Sequence, residues 1–240
     1  MNGDHLEKLG RAVEAVSTGL DDWGLRPTWR ELTEESLFGT LVGCILGSQV
    51  SFAMSVQAFE NLRAEHLLTP RQQGRRESLD HWEAAMLEVL AGGHSPHGRR
   101  LAGYRFPSRA ASHVRRTFES LYQEEGGLRS LLDHAPTSRD VRRRLVDRAY
   151  GIGPKQSSLF LRNIGYSSDV AVLDTHVLRF MRLMGLCDEV RSPSSLRQYE
   201  RIEERLAAFA LGRGIGLDRL DVSVWIVMRA AESGKATDAS

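Results

Sequence analysis

Apolar residues recur at helical spacing along most of this chain, and no series of alternating strands interrupts them. From Arg109 to Tyr122, Ala111, Val114, Phe118 and Leu121 fall on one stripe. Leu196, Tyr199, Ile202, Leu206 and Phe209 repeat that spacing, as do Leu217, Leu220, Val224, Val227 and Ala231. Each series predicts an amphipathic helix. In the last one, Asp221, Trp225 and Met228 form a second stripe beside the first, so Asp221 and Trp225 are expected to face a cleft, with a plain core tryptophan as the alternative. Leu37 to Leu62 is apolar at its start and polar after Gln49, which predicts a buried helix, a turn and a second helix. The breaker-rich run from Gly92 to Gly103 reads as a flexible loop, and the tail after Gly234 as frayed.

Leu145 to Gly165 consists of two short helical patterns joined by Gly151-Ile152-Gly153-Pro154. The glycines permit positive φ and close backbone approach, and Pro154 suits the first turn of the second helix. The pattern predicts a helix-hairpin-helix over about residues 140–165. Its second helix begins with unpaired N–H groups at a positive dipole end, a place to hold a phosphate without reading a base. A glycine cap between two packed helices is the plainer alternative. Nucleoside triphosphate binding is not indicated, because the spacing is not that of a P-loop and no strand precedes it.

The next segment closes an apolar run, Val170 to Leu173, with Asp174, followed by Thr175, His176 and Arg179. An acid at a helix start serves as an N-cap or dipole partner, and a chemical role can coexist with that one. In chemistry that breaks a base–sugar bond, a lysine amine attacks the anomeric carbon to form a Schiff base. A carboxylate assists deprotonation and stabilises positive charge on the sugar. Lys155 and Asp174 are the candidates. Lys155 must be neutral to attack, so burial or neighbouring cations should lower its pKa.

Composition narrows the field by exclusion. At 240 residues and 41% hydrophobic content the chain can bury a real core as one large or two small domains. Its apolar runs are too short to span a bilayer, and Met1-Asn2-Gly3-Asp4-His5 lacks the order of a signal peptide, so a soluble cytoplasmic protein without membrane partners is expected. Cys44 and Cys187 alone exclude a disulfide framework and a four-cysteine metal cluster. A net charge of +1 decides nothing about nucleic acid. Local clustering says more: Arg139, Arg142, Arg143, Arg144 and Arg148 enter the hairpin, and Arg162 and Arg179 follow it, diluted by Asp140 and Asp147. A solvated helix face is the alternative.

The run from Gly151 to Arg179 resembles the hairpin and catalytic-aspartate block of the helix-hairpin-helix DNA glycosylase superfamily. It is most similar to the second type of microbial 8-oxoguanine DNA glycosylase/AP lyase, in Lys155-Gln-Ser-Ser-Leu-Phe-Leu-Arg-Asn-Ile-Gly165 and Ala171-Val-Leu-Asp174-x-His176. Three further segments extend the resemblance to about two-thirds of the chain: Leu41 to Gln49, Arg105-Phe-Pro-Ser-Arg-Ala110 and Leu220-Asp-Val-Ser-Val-Trp225. The resemblance implies that Lys155 is the Schiff-base nucleophile and Asp174 its carboxylate. It implies DNA contacts at Gln49, Gly151, Gly153, His176 and Arg179, with Gln49 wedged into the space left by an extruded nucleotide. A helix-end polar residue is the plain alternative for Gln49. Phe106, Asp221 and Trp225 would form the base pocket, the indole stacking on the flipped base.

Two segments depart from the family pattern. Met228 to Lys235 is followed by Ala-Thr-Asp-Ala-Ser240 where the resembled family closes on a short tail after a Thr-Gly-Lys-like segment, its terminal lysine region helping to recognise 8-oxoguanine, and the stretch from His81 to Tyr104 reads as a longer, more polar loop. The expectation is an all-α fold of two helical subdomains, with the active cleft between them and the hairpin at its edge. Residues 1–234 would form the glycosylase, and 235–240 the tail. The expected function is excision of an oxidised purine, 8-oxoguanine in the first place, with strand cleavage by β-elimination. The alternatives are a different modified base, a monofunctional glycosylase, or a non-catalytic DNA-binding module using only the hairpin. No cofactor or metal is required, with the hairpin a candidate site for a monovalent cation. The partner is double-stranded DNA carrying a damaged or modified base, and the protein is expected to be monomeric and nucleoid-associated.

Overall fold

The computed structural model describes residues 3–20, 28–68, 76–94, 100–124, 126–188 and 192–237. Helices dominate, and the chain divides into two compact units, one of residues 27–164 and one of residues 1–26 with 165–240. Among the described residues no helix is long and apolar enough to cross a membrane.

The 27–164 unit contains α2 (Glu34–Leu46), α3 (Phe52–Ala64), α4 (Arg76–Ala91), α5 (Pro107–Glu119), α6 (Leu128–Asp133), α7 (Ser138–Arg148) and α8 (Pro154–Asn163). Helix α2 starts where Thr33 accepts the Ser36 amide with its hydroxyl, and its apolar residues are buried almost all round, as expected of a central helix. Around it Phe38, Trp82, Phe118 and Tyr122 form an aromatic cluster, with Phe118 and Tyr122 stacked at 4.6 Å and Phe38 edge-on to both. Glu34 reaches from α2 to accept the Leu128 and Arg129 amides at 2.7 and 3.2 Å, capping α6 from a distance.

The stretch beginning at His81, expected as loop, is helical to Ala91, because Trp82, Met86, Val89 and Leu90 bury one face of α4. Beyond it the breaker-rich segment is pinned at its base: β1 (Gly93–His94) pairs antiparallel with β2 (Arg100–Leu101), and Tyr104 donates its amide to Leu90 at 2.7 Å. Gly92, at φ 88°, lies so close to Gly103 that a Cβ would come within 2.8 Å of its nitrogen. Residues 95–99 lie outside the described residues.

The other unit contains α1 (Gly3–Gly19), α9 (Thr175–Leu183), α10 (Leu196–Leu211) and α11 (Leu217–Thr237). Its core gathers the predicted stripes: Val177, Phe180 and Met181 of α9 meet Tyr199, Ile202 and Leu206 of α10 and Leu220 and Val224 of α11. Helix α11 continues through Gly234 to Thr237, and the remaining tail, 238–240, lies outside the described residues.

Candidate active site

The hairpin forms at the predicted place. Helix α7 ends at Arg148 and α8 begins at Pro154, with Gly151 between them at φ 76°. That left-handed backbone, and a ring behind it, account for the glycine: a Cβ on Gly151 would lie 2.2 Å from His113 Nδ1. Gly153 does not use that freedom. It is extended, at φ −105°, and a Cβ there would meet nothing within 4 Å, so its smallness leaves open space above the start of α8.

Five helices, α2, α3, α7, α9 and α10, carry a side-chain oxygen that accepts an amide of their first turn, whereas α8 starts on Gly153 and among the described residues no side-chain cap is present there. The amides at the start of α8 keep their donor capacity and its dipole end is uncovered, which is the arrangement that holds an anion. Lys155 is the second residue of α8 and half-buried. Among the described residues no hydrogen bond or ion pair engages its amine. Its positive charge is felt by Cys44, although burial dominates there and pushes that thiol up to about 12. Next to it Gln156 is buried and donates to the Cys44 carbonyl at 3.0 Å, fixing α8 to α2.

Helix α5 holds the outer side of the hairpin. Thr117 accepts the Tyr150 amide at 2.9 Å, and the Arg116 guanidinium lies 3.9 Å over the Tyr150 ring. A cavity of about 160 Å³ opens beside this turn, lined by Gln49, Phe106, Arg109, His113 and Gly151 among others. Three sequence candidates, Gln49, Phe106 and Gly151, are therefore brought together. Gln49 is exposed and holds φ 60°, a conformation that a non-glycine residue adopts at a cost of roughly 1–3 kcal/mol. Phe106 precedes Pro107 at the start of α5, and the guanidiniums of Arg105 and Arg109 lie 4.9 and 4.1 Å from its ring centre.

Asp174 caps α9, accepting the Val177 amide at 2.8 Å, and keeps partial exposure. The residues before it belong to no helix or sheet, so their amides need other partners. Buried side chains supply them. Glu203 accepts from Ala171 at 2.9 Å, Asp221 from Val172 at 2.6 Å, and the Tyr199 hydroxyl accepts from Leu173 at 3.0 Å while donating to the Ala171 carbonyl at 2.6 Å. Sequence periodicity shows Tyr199 only as a member of the α10 stripe and gives Glu203 no role.

Asp221, expected to face a cleft, is instead 1% exposed and accepts the Val172 amide, which ties it to the run leading to Asp174; Met228, on the same stripe, is also buried. Trp225 is partly exposed, with the Arg229 guanidinium 4.9 Å from its ring centre. His176 and Arg179 on α9 both face Glu232 of α11, His176 at 3.6 Å and Arg179 through a short ion pair. The arginine patch is partly committed too. Arg142 is fully buried and donates to Ser158 at 3.2 Å, tying α7 to α8, which removes it as a phosphate contact; Arg143 pairs with Asp140 and Arg148 with Glu124. Among the described residues no group of three or more His, Cys, Asp and Glu side chains converges as metal ligands would.

The family profile described as 8-oxoguanine DNA glycosylase matches residues 99–215, a span holding the hairpin, Lys155 and Asp174. The 8-oxoguanine DNA glycosylase/AP lyase of Thermotoga maritima is 31% identical over 200 residues, 83% of this chain and 83% of that protein. This chain belongs to the 8-oxoguanine DNA glycosylase/AP lyase family. The crystal structure of the Thermotoga maritima 8-oxoguanine DNA glycosylase is similar over 92% of this chain and 94% of that one, with a TM-score of 0.67 at 27% identity. The same predominantly helical fold extends to the Methanocaldococcus jannaschii 8-oxoguanine glycosylase/lyase, solved with a 15mer DNA containing 8-oxoguanine (TM-score 0.59, 21% identity, 91% of this chain and 88% of that one). Within this glycosylase/lyase family, the free amine of Lys155 sits behind an uncapped helix start, and Asp174 closes a run held by buried side chains.

Proposed function

We propose that this protein excises 8-oxoguanine from duplex DNA and then cleaves the strand, with Lys155 as nucleophile and Asp174 as the carboxylate that assists it. The reading is carried by the position of Lys155. A half-buried amine with no described ion pair stands on the first turn of the helix whose uncapped start follows the hairpin. A phosphate held on those amides would place the sugar of a flipped nucleotide within the amine's reach.

In this scheme the neutral amine attacks C1′, the base leaves with the electron pair of the broken C1′–N bond and takes up a proton, and Asp174 stabilises positive charge on the sugar. Loss of the amine proton and opening of the sugar ring give the C1′=N Schiff base. Removal of a C2′ proton then expels the 3′ phosphate, and water releases the lysine. Trp225 stacks on the extruded base, Gln49 fills the vacated space in the duplex, Phe106 packs beside it, and Gly151 and Gly153 bring the backbone to a phosphate. His176 and Arg179 contact the DNA backbone. No cofactor takes part.

Borohydride should trap the native chain covalently on an 8-oxoguanine duplex, whereas Lys155→Gln should abolish trapping and Asp174→Asn should slow it by orders of magnitude. Undiminished trapping in Lys155→Gln would overturn the nucleophile. A panel of duplexes with single altered bases, scored for strand cleavage with and without alkali, tests the substrate; no cleavage opposite any base on the 8-oxoguanine duplex would overturn it.

A further inference from the structure

One polar group at the hairpin has no part in that scheme. His113 packs its ring against Gly151, lines the cavity with Gln49 and Arg109, and retains partial exposure. It stands between Arg109 and Arg116 on successive turns of α5, and both arginines are exposed.

Burial and the charges of Arg109 and Arg116 hold the imidazole below the usual histidine range, so it is neutral at neutral pH. Among the described residues no carboxylate pairs with either guanidinium. The acids that meet α5 from α4, Asp80 and Glu83, are bound to Arg115 together with Glu119 of α5 itself. The hairpin side presents Tyr150, whose ring already carries Arg116, and Tyr104 faces the cavity as a phenol raised by burial. Ser48 and Gln49 line the remaining side without charge. The cavity is thus cationic, concave and lacks an acid, and one of its walls can become a further cation.

We propose that His113 is a proton-linked phosphate contact: when a DNA phosphodiester approaches the Gly151 turn, the imidazole takes up a proton from solvent and joins Arg109 in binding it. The phosphate supplies the negative charge that the free protein lacks at this point, which reverses the effect of the two guanidiniums on the ring. Binding of duplex is then accompanied by proton uptake and strengthens as pH falls. The inference rests on the DNA-binding reading above, but it is independent of catalysis and applies to undamaged DNA.

The test is the affinity of the full chain for an undamaged duplex between pH 5.5 and 8, for the native protein and His113→Gln, together with an NMR titration of the His113 ring proton with and without duplex. Affinity of the native chain should rise on acidification more steeply than that of the variant. The gap should reach up to about tenfold for each unit by which DNA raises the imidazole pKa, and it should close near pH 8. The ring proton should titrate at higher pH when DNA is bound. Equal slopes in the two proteins, or an unmoved His113 titration, would overturn the proposal while leaving the DNA-binding reading intact. No duplex binding at any pH would overturn both. The ring titration uses the native chain, so it decides the matter even if His113→Gln does not fold.

Discussion

Asp221 accepts the Val172 amide at 2.6 Å from inside the core, two residues before Asp174. The bond makes α11 a support for the carboxylate of the site. Asp221→Ala should leave a buried amide unpaired and cost roughly 1–3 kcal/mol of stability. Turnover should also fall, because the backbone that aims Asp174 loses a tether. Asp221→Asn keeps an acceptor and should recover part of both. Urea unfolding and single-turnover cleavage measure the two effects; full activity with lost stability in Asp221→Ala would show that the tether does not aim Asp174.

Tyr199 gives an independent check on the same segment. Its hydroxyl both accepts from Leu173 and donates to Ala171, so Tyr199→Phe removes two hydrogen bonds with little change of shape. A loss of roughly 1–3 kcal/mol is expected from the amide left unpaired. An unchanged denaturation midpoint would count against this account of how the run before Asp174 is held.

These supports mark what was and was not legible in the sequence. Periodicity of 3.6 exposes α5, α10 and α11, because packing demands an apolar stripe whatever lies opposite. Lys155 and Asp174 stand in one short run, so their pattern is local. Glu203, Tyr199 and Asp221 act on backbone 26–49 residues away, and only the fold chooses that pairing. Tyr199 looked like another stripe member, its hydroxyl without a visible purpose. A signal existed nevertheless: an apolar run outside any helix or sheet must find partners for its amides somewhere. The same reasoning applies to His113, whose neighbour Gly151 lies in another helix pair.

The two hairpin glycines should respond differently. Gly151→Ala places a Cβ against His113 at positive φ, so the turn must move or strain; lowered stability and weakened DNA binding are both expected. Gly153→Ala has ordinary backbone and open space, so the free protein should melt as the parent does. Any loss in that variant should appear only when DNA is added, because the methyl group then occupies the space above α8. Thermal melts compared with duplex titrations separate the two cases, and equal destabilisation of both variants would contradict them.

Cys44 and Cys187 are buried, and Cys44 has its thiol pushed up to about 12 by burial. Neither should react with a thiol reagent at pH 8 in the folded protein, and both should react after unfolding. The unfolded thiol ionises near 9.0 and the folded one does not, so the unfolded state binds fewer protons above that value. Stability from this group is complete below pH 9 and declines as pH rises toward 12. Cys44→Ala should flatten the alkaline limb of a denaturation-midpoint profile; an unaltered limb would reject the assignment.

Glu232 of α11 holds His176 and Arg179, the two α9 residues proposed to contact DNA. Its carboxylate pairs with Arg179 and lies 3.6 Å from His176 Nδ1, so a phosphate reaching α9 must displace it or share its partners. Glu232→Gln removes the competitor and leaves the cations in place. The variant should therefore bind undamaged duplex about two- to fivefold more tightly at low salt, and the advantage should fade as salt screens the lost charge. Arg179→Gln in the same background should abolish that gain. If Glu232→Gln binds no better at any ionic strength, His176 and Arg179 serve to fasten α9 to α11, and the phosphate contacts lie elsewhere.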